Sequence, residues 1–326
     1  MKVPWKERGA ALLAVLLLVA VTGAIAAAAM EKLRLSRAVA ANTYALDQAR
    51  AHANGIAELA LLTIDDLQSQ DRDKTTLAGG WQGSVRQIPL PDGGLASVQV
   101  RDGGNCFNLN SVVEGDPRTR LVRRNTGVSQ FAGLMMLTGI GEGEARRIAE
   151  AAADWADSDS ISASAGAEDA AYGGGAAPFR APNTLFADVG EARGLAGMTP
   201  EIFARLRPWL CALPVASLSP LNVNTLTENQ ASLLAMLAPG QIDVARARRI
   251  IAARPAAGWD TMVDFWRTES LSELAVPLDA QLQPQVKSSW FALDVRVALM
   301  GAEFAEDVLV DARMAPVRLS ARSWRE

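Results

Sequence analysis

Four carboxylates and two thiols are the side chains whose placement could carry chemistry. Asp157 and Asp159 alternate in the Ser- and Gly-rich stretch DWADSDSISASAGAEDAAYGGG (residues 154–175), and Glu168 with Asp169 returns two more acids further along the same stretch. Carboxylates gathered from one loop repel each other unless a cation sits among them. Ca2+ suits such a set because it takes about six to eight oxygen ligands in irregular geometry. The spacing does not fit an EF-hand loop, and an ordinary solvated acidic loop is the competing reading. Cys106 and Cys211 lack C-x-x-C spacing, which argues against zinc or redox chemistry. In an oxidising compartment they read as a disulfide, and otherwise as two buried thiols. His52, the single histidine, lies in the helical stretch DQARAHANGIAEL and reads as a helix-surface residue. No nucleophile and base are paired in the pattern, so an enzyme is not expected.

Two glycine-bearing turns lead into Ala- and Ile-bearing helices. They are LTGIGEGEARRIAEAAADW, with Gly139 and Gly141, and the later LAPGQIDVARARRIIAA. Both resemble helix-hairpin-helix motifs, whose turn amides bind DNA phosphate. A membrane-anchored DNA-binding module is therefore the alternative function. Against it, Glu142 and Glu144 flank the first turn, Asp243 sits in the second, and the chain carries a net charge of -4. A nucleic-acid partner is not expected, although RTRLVRR (118–124) is locally basic.

The elements that must position these groups begin with an apolar run. Residues 10–30 carry no charge and follow Lys2, Lys6 and Arg8, which predicts a membrane-spanning helix about 30 Å long with a cytoplasmic N-terminus. A cleaved export signal ending near AIAAAAM is the competing reading. However, Leu35, Val39, Leu46, Ala49, Ala53, Ile56 and Ala60 continue a helical period without proline, so one long helix is expected to reach about residue 67. Short β-prone runs follow around residues 85–88 and 96–100, and three alternating strands end the chain. Between them the sequence is helical. The expectation is an α+β fold whose sheet core, residues 68–113 and 285–326, is split by an all-helical insertion over 114–284.

KERG followed at once by the apolar run resembles a type IV prepilin processing site, which places a cut between Gly9 and Ala10 and makes residues 1–9 a leader. The fifth mature position, a glutamate in most pilins, is Ala14 here. The segments RGAALLAVLLLVA, DGGNCFNLNSVV, GIGEGEARRIAEAAADWADSD, GAEDAAY, APNTLFADVGEARGLAGMTPEIFARLRPWLCALP and LNVNTL fall in order along the chain. Together they are similar to the minor pseudopilin K (GspK) family of the type II secretion system, which shares the missing glutamate. The resemblance implies an inner-membrane precursor cut by the prepilin peptidase and served by the inner-membrane assembly platform. It implies a bulky periplasmic part and assembly with minor pseudopilins I and J, and with H, into the tip of a pseudopilus that supports protein secretion. It also implies Ca2+ held by Asp157, Asp159, Glu168 and Asp169, and a Cys106–Cys211 bridge tying the insertion to the core. Asp188 and Glu191 read either as part of a second calcium site or as a helix cap.

Overall fold

The computed structural model describes residues 5–91, 93–174, 178–272 and 274–325, so the first residues of the expected leader lie outside it. Helix α1 (Trp5–Gln70) runs unbroken through the apolar run and beyond. No proline interrupts it. In its second half Ala45, Ala49, Ala53, Ile56, Ala57, Ala60 and Ile64 are buried, three or four apart, along one stripe. Five alanines in that stripe let the helix axis approach the sheet closely. The helix end is held by Lys287, whose Nζ donates to the carbonyls of Gln68 (3.3 Å), Asp71 (3.0 Å) and Arg72 (2.5 Å), satisfying acceptors that a helix terminus leaves open.

After α1 come strands β1 (Val85–Pro89) and β2 (Leu95–Asp102), an antiparallel hairpin. The chain then leaves the sheet. It forms β3 (Phe107–Asn108), β4 (Val113–Asp116), β5 (Arg120–Arg123), α2 (Asn125–Leu137), α3 (Glu142–Ala156), α4 (Asp169–Tyr172), α5 (Pro200–Leu206), β6 (Leu210–Cys211), α6 (Ala231–Ala235), α7 (Val244–Ala252), α8 (Met262–Trp266) and α9 (Leu278–Leu282). It returns as β7 (Trp290–Leu299), β8 (Ala302–Asp311) and β9 (Arg318–Arg325), giving a five-stranded antiparallel sheet of order β1-β2-β7-β8-β9. Phe291, Leu293, Val295, Val297, Val308 and Val310 face the α1 stripe and make one apolar core with it. A second and larger core lies wholly in the insertion.

Two details correct the expected boundaries. Phe107, Leu109, Val112 and Val113 are buried in the core of the insertion, so residues 107–113 belong to it and not to the sheet. The insertion is helical in bulk, but not all-helical. It contains the β4-β5 hairpin and a two-residue parallel pairing of β3 with β6. The hairpin arises where Asp116 and Pro117 open a turn closed by Thr119 N to Asp116 O at 2.9 Å, chemistry suited to the first two positions of a β-turn. The basic run RTRLVRR thus contains an edge strand.

Candidate functional site

The first candidate is α1 itself. Over its apolar half Leu12, Leu16, Val19 and Ile25 are exposed, and this is one helix long and apolar enough to span a membrane. Thr22 is the lone polar side chain between residues 10 and 30. Its hydroxyl donates to the Leu18 carbonyl at 2.9 Å, leaving nothing polar to satisfy from lipid. Gly9, Ala10 and Ala14 all lie on this exposed helical stretch.

The second candidate is the acidic loop. The C-terminal turn of α3 delivers Asp154 and Asp157, only 1% and 5% exposed, and Glu168 reaches back at 8%. Asp154 accepts from Ala163 N (3.1 Å) and Ser162 Oγ (3.3 Å), and a Cβ on Gly166 would lie 2.0 Å from its Oδ2. Asp157 Oδ1 accepts from Asp159 N at 3.3 Å. Burial, reinforced by the charges of Asp159 and Asp154, pushes the Asp157 carboxyl up to about 6. Burial and the neighbouring Asp154 and Asp157 push Glu168 up to about 7. Among the described residues, Glu168 Oε1 is buried with no hydrogen-bond partner. An orphaned buried carboxylate oxygen among like charges is costly, and a hard cation is the chemistry that relieves it.

Of the four expected ligands, Asp157 and Glu168 are brought together. Asp159 Oδ1 caps Ile161 N (2.9 Å), while Asp169 accepts from Ala181 N (3.0 Å) and stands 3.8 Å from Arg180. Asp154 was missed. It sits three residues before Asp157 on one helical face, a spacing that marks a shared side of α3. Among the described residues, no three Asp, Glu, His or Cys side chains close into a ligand sphere. The oxygen donors of Asp154, Asp157 and Glu168 are nevertheless of the type a hard cation takes.

Cys106 and Cys211 are bonded, with Cα atoms 5.8 Å apart. Cys106 directly precedes Phe107 in β3, so the bridge fastens the paired β3 and β6 of the insertion rather than joining insertion to sheet. Asp188 and Glu191 form a capping box on the 3-10 turn Val189–Gly194. His52 is half-buried on α1. The DNA-type turns are spoken for. Arg146 pairs with Glu142, Arg205 donates to the Gly139 carbonyl, Asp243 caps α7, and Arg246 turns to the Ser270 carbonyl.

Comparison with known proteins agrees with this geometry. Residues 105–215 and 221–287 match family models described as type II secretion system (T2SS), protein K. A type II secretion system protein K from Pectobacterium carotovorum subsp. carotovorum is 30% identical over 98% of this chain and 97% of its own length. The protein K of Klebsiella pneumoniae is 34% identical over 82% of this chain and 81% of its own. The crystal structure of the GspK-GspI-GspJ complex from enterotoxigenic Escherichia coli superposes with a TM-score of 0.75 at 26% identity, covering 89% of this chain and 99% of that one. None of these supports a DNA-binding module. A membrane-length helix packed into a sheet, a large helical insertion and these matches lead to one assignment: the chain belongs to the protein K family of the type II secretion system, the minor pseudopilins.

Proposed function

We propose that this chain is an inner-membrane precursor, cut by prepilin peptidase between Gly9 and Ala10, that caps a pseudopilus tip together with I- and J-type minor pseudopilins. The observation that carries the reading is the continuity of α1, whose apolar run is exposed from Gly9 to Met30 while its second half is the spine of the sheet domain. In lipid, acyl chains cover that half. In a filament, helices of sister subunits would cover it, so leaving the membrane need not expose apolar surface to water. The association of a relative's K subunit with GspI and GspJ supports the choice of partners. An H-type subunit and the assembly platform would complete the system.

Ala14 supports the terminal position. A buried acid is costly in an apolar bundle and is useful only where a neighbouring terminal amine needs neutralising; a subunit with nothing above it has no such need. Lys2, Lys6 and Arg8 favour a cytoplasmic N-terminus and a periplasmic bulk. In that compartment Asp154, Asp157 and Glu168 would hold Ca2+, with Asp159 nearby to contribute, and the ion would supply the charge that lets the loop pack. The role is scaffolding, with no catalytic step.

N-terminal sequencing of the mature membrane-bound chain tests the reading. A start at Ala10, together with co-purification with tagged I- and J-type subunits, is expected; a start near Met30 would overturn it.

A further inference from the structure

The two apolar cores do not merge. One is built from α1 and the sheet, the other from the insertion, and no described residue belongs to both. The seam between them is polar and buried. At its centre stands Asp102, the last residue of β2, 6% exposed. Its Oδ2 accepts from Thr225 Oγ1 (2.6 Å) in the insertion and from Ser288 Oγ (2.5 Å) on the return to β7, and its Oδ1 accepts from Gly104 N (2.9 Å). All these partners are neutral.

The hydroxyls are themselves fed by amides. Asn105 Nδ2 donates to Thr225 Oγ1 at 2.8 Å, and Asn222 Nδ2 donates to Ser288 Oγ at 2.9 Å and to the Thr75 carbonyl at 3.0 Å. Asn105 Oδ1 in turn accepts from Asn222 N at 2.9 Å. Two donor chains, each amide to hydroxyl to carboxylate, therefore converge on one oxygen. They draw on four separate segments of chain: the linker after α1, the end of β2, residues 222–225 and residues 285–289. The carboxylate at position 102 takes both hydroxyl hydrogens at the shortest distances of the network, while Thr225 Oγ1 also reaches the Asn222 carbonyl at 3.2 Å. A buried carboxylate without a cation costs stability, and such groups are retained where they fix one arrangement over its alternatives.

We propose that Asp102 is the pin of a polar joint, a positioning residue that holds the insertion in one orientation on the sheet without contributing to the folding of either core. Two covalent crossings, near residues 102–106 and 285–289, remain without it, together with the bond from Gln82 Nε2 to the Thr225 carbonyl (3.2 Å) and the Lys74–Asp260 ion pair (2.5 Å). Removing the pin frees the insertion to swing about them as a body, the domain-hinge type of motion.

The test measures orientation separately from folding. Full-length chain in detergent micelles carries spin labels at Glu303→Cys on β8 and Glu201→Cys on α5, both exposed, and double electron-electron resonance reads their separation. The wild type should give one narrow distance. Asp102→Asn should broaden the distribution about two-fold while circular dichroism keeps its native shape, as expected for a released hinge. Thr225→Val and Ser288→Ala each remove one donor and leave the charge, so they decide the matter should Asp102→Asn fail to fold. Lower melting temperatures with the single narrow distance retained in these variants would show a merely structural network and overturn the proposal.

Discussion

The acidic loop predicts that stability depends on pH in opposite directions with and without calcium. Folding raises the Glu168 carboxyl from 4.5 to about 7 and that of Asp157 from 3.8 to about 6. A carboxyl whose folded value exceeds its unfolded value stabilises the fold below the unfolded value. That contribution is lost as pH rises through the folded one. In chelator, therefore, stability should fall between about pH 4 and pH 7. Each tenfold change in proton affinity is worth about 1.36 kcal/mol, so Glu168 alone accounts for about 2 to 3 kcal/mol and the pair, which share their repulsion, for about 3 kcal/mol in all. For a chain of this size that is a fall in Tm of about 6 to 10 °C between pH 5 and pH 8. Added calcium should reverse the sign, because an ion held among these carboxylates would take their deprotonated form and stabilise in proportion to occupancy. The assay is thermal unfolding of the detergent-solubilised chain at pH 5, 6, 7 and 8, in chelator and in millimolar calcium. Glu168→Gln should flatten the chelator profile, and Asp157→Ala with Asp159→Ala should bring the calcium profile down to it. A Tm in chelator that is constant or rises from pH 5 to pH 8 would refute the reasoning.

Other consequences are as direct. The Cys106–Cys211 bridge spans 105 residues; replacing both by serine should cost about 4 to 5 kcal/mol by loop-closure entropy, read by guanidinium denaturation, and a loss under about 1 kcal/mol would contradict the bridge as a major support. Gly127 in α2 lies so close to the Ser111 carbonyl that a Cβ would sit 1.9 Å from its oxygen. Gly127→Ala should lower stability by about 2 to 4 kcal/mol despite its better helix propensity, whereas an unchanged unfolding midpoint would mean that this contact is not formed. Ala14→Glu should impair secretion in cells while leaving the melting of the sheet and insertion unaltered; normal secretion would count against a position with no subunit above it.

Much of the fold was legible because its periodicities are long and clean. Ala49, Ala53, Ile56 and Ala60 repeat at helical spacing and are buried, whereas Leu35, Val39 and Leu46 of the same period stay exposed, and β7 and β8 alternate faithfully, burying Leu293, Val295 and Val297 on one face. What was illegible depended on contacts distant in sequence. Residues 107–113 carry apolar side chains that either core would accept, and only the packing of Phe107 against Phe131, with ring centroids 4.6 Å apart, assigns them to the insertion. The β4-β5 hairpin hid behind its arginines, since a basic run reads as a solvated face. At the acidic loop, Asp154 was concealed inside the helix pattern of α3, and Asp169 looked equivalent to Glu168 until the fold turned it toward Ala181. Asn105, Asn222 and Thr225 gave no signal as a group, because four stretches of chain must meet before they touch.

The unbroken course of α1 has a mechanical corollary. At about 1.5 Å per residue its 66 residues make a rod of nearly 100 Å. A rod without a break transmits thrust and torque: lifting the anchored end by some distance lifts the sheet domain by the same distance, and twisting it turns the domain through the same angle. From Gly9 to Tyr44 the rod is exposed on every side, so that stretch is where bending is least opposed, and any compliance between an anchored base and the head it carries must be concentrated there.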